Sequence, residues 1–264
     1  MKLKRIGHGG TLDPMATGVL PVFLGRATRG VEFFENADKE YIAGLKLGIV
    51  TDTQDITGNT LRECEASVSA NELSDVISCF VGAQKQIPPM YSAVKIGGKK
   101  LYELARRGIE TERPARDIFV SELELLEGGG NEFLLRAVCS KGTYIRTLCH
   151  DIGAALGCGG TMSSLRRTRA GAYKIEIANT LESVLSAIAS GEAAKLLIPI
   201  DTLFSNHPAI TLTAEETQKC KNGALRHITG SPDAIYRFYS PDNEFLLLGE
   251  LVGGEVKAIK SFYS

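Results

Sequence analysis

Two runs of alternating residues stand back to back in the middle of this chain, and they restrict its fold more than any other feature. IFVSELELLE (118–127) and EFLLRAVC (132–139) each read as a strand, and a short stretch holding Gly128, Gly129 and Gly130 separates them. Strands joined that closely form a hairpin. A further run, DKEYIAGLKLGI (38–49), sets Tyr41, Ala43, Leu45, Leu47 and Ile49 on one face by period-two alternation. Helical signals lie between these strands. Ser69 and Glu72 stand at capping-box spacing, and Leu73, Val76, Ile77, Phe80 and Val81 then form one helical stripe. Strands and helices do not alternate as regular βαβ units. The expected class is α+β, with a mostly antiparallel mixed sheet rather than a doubly wound one.

The remaining segments fill in that outline. TDTQDITGN (51–59) reads as a polar turn. QIPPMYSA (86–93) is extended, because Pro88 and Pro89 exclude helix. KKLYELARRG (99–108) is a short helix stopped by Gly108. Another helix runs from Thr143 to about Gly157, with Ile145, Leu148, Ile152 and Leu156 inward. Residues 181–195 are helical, LLIPIDTLFSNHP (196–208) is a linker, and two strand-like runs (234–240, 244–252) belong to a small β-rich C-terminal domain. The 264 residues accommodate a large plus a small domain. The expected division is 1–204 and 205–264.

Composition excludes several classes. No apolar run approaches the ~18–20 residues of a membrane span, and the basic opening MKLKRIGHGG lacks the apolar stretch of a signal peptide. The 6 cysteines are too sparse for a disulfide scaffold and form no C-x-x-C pair, so no metal site is expected. A reduced, cytoplasmic protein follows. The formal charge of −1 hides a pattern. Residues 85–116 carry eight Lys/Arg against three Asp/Glu, and residues 136–174 carry seven against one. Two basic segments in a neutral chain suit either a local phosphate track or two solvated faces.

Three segments carry candidate chemistry. In GHGGTLDPMATGVLPVFLG (7–25), Asp13 sits between apolar Leu12 and rigid Pro14. It is either a turn aspartate bonding its own backbone or a reactive carboxylate. The glycines fit neither standard nucleotide-binding pattern. In CSKGTYIRTLCHDIG (139–153), Arg146 falls in the first turn of a helix, where the dipole disfavours a cation. It is either curled into water or paired with a buried carboxylate. QIPPMYSAVKIGGKKLYELARRG (86–108) mixes bases with Tyr91 and Tyr102, as phosphate contact plus base stacking requires, or as an ordinary surface loop does.

Taken together and in order, GHxGTLDPxATGVLP, the K-x-Y strand, TDTxDxxG, QxPPxYSAxKxxGxxxYxxAR, SKGTYIRTL and LRR (165–167) resemble the TruB-type tRNA pseudouridine synthases across roughly residues 5–170. The resemblance implies a pseudouridine-synthase-like catalytic domain with an RNA-gripping insertion at about 85–116 and a C-terminal domain of PUA-like type. It implies that uridine 55 in the tRNA T-arm is isomerised to pseudouridine by a monomer, with no cofactor. The alternative is a non-catalytic tRNA-folding protein that uses the same surface. The family's essential aspartate falls on Asp13, and the tyrosine that stacks on the target base falls on Tyr41. The active-site tyrosine and the arginine pairing with the aspartate fall on Tyr144 and Arg146. The apolar residue beside the target base falls on Leu165, and the histidine that fills space vacated by the flipped nucleotide falls on His8. Lys95, Lys99, Lys100, Arg106, Arg107, Lys141, Arg166 and Arg167 are the expected RNA contacts. Two departures stand out. The family's first strand, with its Lys-Pro motif, is absent ahead of GHxGT. Gly9 replaces the usual Thr or Ser, which is expected to loosen that loop.

Overall fold

The computed structural model describes residues 4–263. By packing, these residues form two compact units, one built from 11–20 and 36–178, the other from the described residues of 1–10, 21–35 and 179–264. The expected boundary at 204/205 falls inside the second unit.

The first unit is organised on a seven-stranded sheet: β1 (Thr17–Gly18), β2 (Lys39–Leu47), β3 (Gly82–Gln86), β4 (Arg116–Gly129), β5 (Glu132–Cys139), β6 (Gly160–Ala170) and β7 (Tyr173–Lys174). The spatial order is β7-β6-β2-β5-β4-β3, with β1 added against β6. All pairings are antiparallel except that of β1 with β6. The hairpin read from 118–139 is β4–β5. β2 lies centrally between β5 and β6, which explains why its alternating face is so apolar: Ala43, Leu45 and Leu47 are all buried.

Three helices accompany the sheet: α1 (Ala70–Ser78), α2 (Leu101–Ala105) and α3 (Ile145–Ala155). The capping box at α1 is formed: Glu72 Oε2 accepts from the Ser69 N–H at 2.8 Å, and Ser69 Oγ accepts from the Glu72 N–H at 3.3 Å. Leu73 and Ile77 of α1 join the core, whereas Val81 falls beyond the helix and is exposed. Ile145, Leu148 and Ile152 turn α3 into the same core, together with Leu45, Leu135 and Met162. Burial of these six side chains, at ~1.5–3 kcal/mol each, fixes α3 on the sheet. That packing fixes where its first turn delivers Tyr144 and Arg146.

Residues 87–115 are an excursion from this sheet. β3 and β4 pair antiparallel from Gln86↔Arg116 onward, so the segment leaves and returns at one rung. Within it Lys95–Ile96 and Lys99–Lys100 form a small antiparallel ladder ahead of α2.

The second unit holds a four-stranded sheet, Ala209–Thr211, Ala234–Tyr239, Phe245–Val252 and Glu255–Ser261, parallel in its first pair and antiparallel thereafter. The last strand carries Glu, Lys and Ala where alternation would need apolar residues, so its pattern is weak in the sequence. Residues 196–208 are not a free linker. They contain the turn Ile200–Phe204, and Phe204 is buried in edge contact with Phe33 and beside Phe262. Gly9 is likewise packed rather than loose: a Cβ there would fall 2.3 Å from the buried ring of Phe34.

Candidate active site

The segment 11–20 reaches the sheet at Arg166 and Arg167 of β6, and Arg167 fastens it. β1 lies parallel to Arg166–Arg167 of β6. The Val19 N–H donates to the Arg167 carbonyl at 2.9 Å. In return Arg167 Nε donates to the Val19 carbonyl at 2.7 Å, and Nη1 donates to the Thr11 carbonyl at 3.4 Å. Both ends of the segment are thus held by one guanidinium. The approach requires glycine at position 18. Its φ is +101°, and a Cβ would lie 2.1 Å from the Arg167 carbonyl oxygen. Between the two ends, the Ala16 N–H closes a turn on the Asp13 carbonyl at 2.9 Å. Asp13 is therefore a turn residue by its backbone, while its side chain is committed elsewhere.

That commitment is to Arg146. Arg146 Nε donates to Asp13 Oδ2 at 2.8 Å and Nη2 to Asp13 Oδ1 at 3.1 Å, a two-pronged pair. Nη1 donates to the Thr53 carbonyl at 2.9 Å, and Nη2 also donates to the Tyr91 carbonyl at 2.9 Å. A guanidinium buried at a helix N-terminus is costly on both counts. Four acceptor atoms, two of them carboxylate oxygens, offset that cost. The Arg146 side chain is 5% exposed and that of Asp13 is 31% exposed, so the pair presents the carboxylate outward. A second carboxylate, Asp55, stands with Oδ2 3.8 Å from Arg146 Nε. Its Oδ1 accepts from the Thr57 N–H at 3.0 Å and from Thr53 Oγ1 at 3.0 Å, which folds the 51–59 turn so that the Thr53 carbonyl meets the guanidinium.

Tyr41 lies on β2 opposite Arg167 of β6, and strand register puts both side chains on one face. Burial pushes the Tyr41 hydroxyl pKa up, and a hydrogen bond from Arg167 opposes that rise only in part. The negative charge of Asp13 acts in the same direction as burial. The ring stays neutral through the physiological range. Lys39, two residues along the same face, is buried, and its pKa is lowered by burial first and by Arg167 second. Leu165 of β6 pairs with Ala43 and is buried in the core against which Tyr41, Met15 and Ala16 pack.

The expected RNA contacts divide. Lys95, Lys99, Arg106, Arg107, Lys141 and Arg166 are exposed, and Lys100 is half-buried. Arg167 does not belong with them. It is 1% exposed, and adjacent strand residues face opposite ways, so of Arg166 and Arg167 only Arg166 reaches solvent. Arg167 is the buried staple of the Asp13 segment. His8 ends the strand Ile6–His8 in the other compact unit, paired through Val22, with its ring exposed.

Several contributors had no signature in the sequence. Thr53 and Tyr91 act through carbonyl oxygens, which every residue has. Gln54, at φ +63°, accepts from Thr147 Oγ1 at 2.7 Å through its side-chain carbonyl. Gln86 holds both backbone polar groups of Tyr144. Alternation along β3 marked none of this. Among the described residues, no three His, Cys, Asp or Glu side chains converge as metal ligands.

Comparison with known proteins now adds the class. Residues 1–145 match the profile described as TruB family pseudouridylate synthase (N terminal domain), and residues 146–205 match that of the tRNA pseudouridylate synthase B C-terminal domain. The chain belongs to the TruB family of pseudouridylate synthases. A protein of Syntrophomonas wolfei named tRNA pseudouridine synthase B is 45% identical over 93% of this chain and 83% of its own length. One of the same name from Alkaliphilus oremlandii is 48% identical over 84% of this chain and 74% of its own length. Among solved structures, a chain from the crystal structure of a Cbf5-Nop10-Gar1 complex superposes with a TM-score of 0.71 at 30% identity, covering 99% of this chain and 77% of that one. A chain from an H/ACA RNP bound to a substrate RNA containing 2'-deoxyuridine gives 0.70 at 26% identity, covering 99% and 77%.

Proposed function

We propose that this protein is a tRNA pseudouridine synthase that isomerises uridine 55 of the T-arm, with Asp13 acting on a nucleotide flipped out of the stack. The observation that carries this reading is the two-pronged Arg146–Asp13 pair, whose carboxylate is held at 2.8 and 3.1 Å yet remains 31% exposed. A neighbouring guanidinium that meets both carboxylate oxygens holds such a group in one orientation when substrate excludes water. A target base inside a stem-loop is unreachable until it leaves the stack. The neutral Tyr41 ring, on the sheet face it shares with Arg167, offers the extruded uracil a stacking surface. Leu165 supports that surface from the core side, and Tyr144 precedes the helix that carries Arg146. His8 fills the gap left in the T-loop. Exposed Lys95, Lys99, Arg106, Arg107, Lys141 and Arg166, with Lys100, hold the phosphates of the T-arm.

The chemistry draws on Asp13 and needs neither metal nor cofactor, and the protein works as a cytoplasmic monomer. Incubation with an unmodified tRNA transcript, followed by mapping of pseudouridine, tests the whole reading. Modification at position 55 is expected. Modification elsewhere in the transcript would overturn the site. Tight tRNA binding with no pseudouridine would leave the tRNA-folding alternative in its place.

A further inference from the structure

α3 begins without a cap of its own. Its N-cap residue, Tyr144, contributes no side-chain bond to the first turn, and that turn holds no acidic residue. The backbone there is fixed from a distant strand. Gln86 Oε1 accepts from the Tyr144 N–H at 2.8 Å, and Gln86 Nε2 donates to the Tyr144 carbonyl at 3.1 Å. Gln86 is 4% exposed. A carboxamide is the side-chain group that carries a donor and an acceptor side by side, so it can clasp both polar groups of one residue.

The position of Gln86 matters as much as its chemistry. It is the last residue of β3, on the rung with Arg116 where the 87–115 excursion leaves and returns. Five residues further on, the Tyr91 carbonyl receives Arg146 Nη2. The neck of the basic excursion therefore touches the start of α3 twice, at the Tyr144 backbone and at the Arg146 guanidinium.

We propose that Gln86 is a positioning residue: through the Tyr144 backbone it sets the first turn of α3, and with it the angle at which Arg146 presents Asp13. This rests on the proposed roles of Asp13 and Arg146. It assigns to the root of the RNA-gripping segment a direct mechanical link to the reacting carboxylate. Errors of about an ångström at such a pair cost on the order of 100-fold in rate, whereas RNA affinity comes from phosphate contacts elsewhere.

The test uses the full chain carrying Gln86→Met, which keeps the length and apolar stem and removes both hydrogen bonds. Two quantities are read against the parent: the single-turnover rate of pseudouridine formation at saturating tRNA transcript, with the tRNA Kd measured separately, and the hydrogen-exchange rate of the amides of residues 144–148. The expected result is a rate lowered at least ~10-fold, a Kd within about 3-fold, and faster exchange at Tyr144 and the first turn of α3. An unchanged rate, or unchanged exchange at Tyr144, overturns the proposal. So does a weakened Kd with an unaltered saturated rate, which would make Gln86 part of the RNA grip alone. Should Gln86→Met fail to fold, Gln86→Leu takes its place with the same readouts, since it also removes both hydrogen bonds and buries no charge. A parent that forms no pseudouridine sinks the functional reading, and the exchange measurement still decides whether Gln86 holds the helix start.

Discussion

Replacing Arg146 by lysine keeps the charge and removes the geometry. The guanidinium serves four acceptors at 2.8–3.1 Å: both Asp13 oxygens and the carbonyls of Thr53 and Tyr91. They converge from several directions on a planar fork. A lysine ammonium has three donors on one atom and cannot span them. The Asp13 oxygen it abandons faces partial solvent and recovers a water, because that side chain is 31% exposed. The two carbonyls lie against a side chain that is 5% exposed and have less recourse. Two unsatisfied buried acceptors, each at about 1–2 kcal/mol in the lower part of the usual range, weaken the local site by about 2–4 kcal/mol. Expressed wholly as misplacement of Asp13, at about 1.4 kcal/mol per tenfold, this lowers the single-turnover rate roughly 30- to 700-fold. The assay is rapid mixing of excess Arg146→Lys enzyme with tRNA transcript, with the Kd measured by filter binding. Binding is expected to stay within a few-fold of the parent. Because the two residues act as one unit, Asp13→Asn combined with Arg146→Lys should be no slower than Asp13→Asn alone. An Arg146→Lys rate within about 3-fold of the parent would refute the geometric argument, since it would mean that charge alone suffices.

Four further outcomes follow from the same structure. Asp13→Asn should fold, bind tRNA within a few-fold of the parent and form no pseudouridine; turnover near the parental rate would remove Asp13 from the chemistry. Gly18→Ala should lower Tm by at least ~2 °C, because an L-residue at φ +101° costs about 1–3 kcal/mol and its Cβ meets the Arg167 carbonyl; an unshifted melting curve would count against the Arg167 staple. Neutralising Lys99, Lys100, Arg106 and Arg107 together should flatten the salt dependence of tRNA affinity by roughly 0.7–0.9 for each phosphate the protein ceases to neutralise; an unchanged slope would move the phosphate track to Arg166 and its neighbours. Burial raises the Asp151 pKa above 3.8, so the folded state binds this proton more tightly and the ionised group destabilises the fold as pH rises through that raised pKa. Asp151→Asn should then raise Tm at neutral pH, and the gain should vanish in melts below about pH 3.8; a gain that persists in acid would assign it to something other than charge burial.

What could be read in advance follows the distinction between patterned and unpatterned information. β2, β4 and β5 were legible because their buried faces repeat every second residue, and α1 because a capping box needs two named side chains. The Asp13–Arg146 pair was half legible: a cation in the first turn of a helix requires a partner, but nothing local names which carboxylate supplies it. Arg167 misled because two arginines in succession look like one basic patch, whereas a strand sends them to opposite faces. The contributions of Thr53 and Tyr91 were invisible, since a carbonyl oxygen carries no residue identity. Residues 196–208 read as a linker because their apolar side chains follow no period, yet Phe204 fills an aromatic cluster with Phe33 and Phe262.

The single rung at which residues 87–115 leave and rejoin the sheet has a bearing on how such a protein diversifies. A segment whose two ends are already neighbours adds little closure entropy when it grows, about 0.6 kcal/mol for each doubling of length. Its tip can be lengthened, shortened or recharged by mutation while β3 and β4 stay in register. It meets the Arg146 guanidinium through a backbone oxygen, so drift in side-chain identity there leaves the Asp13–Arg146 pair intact. Under the RNA-gripping role proposed for this segment, recognition is free to evolve at a rate of its own.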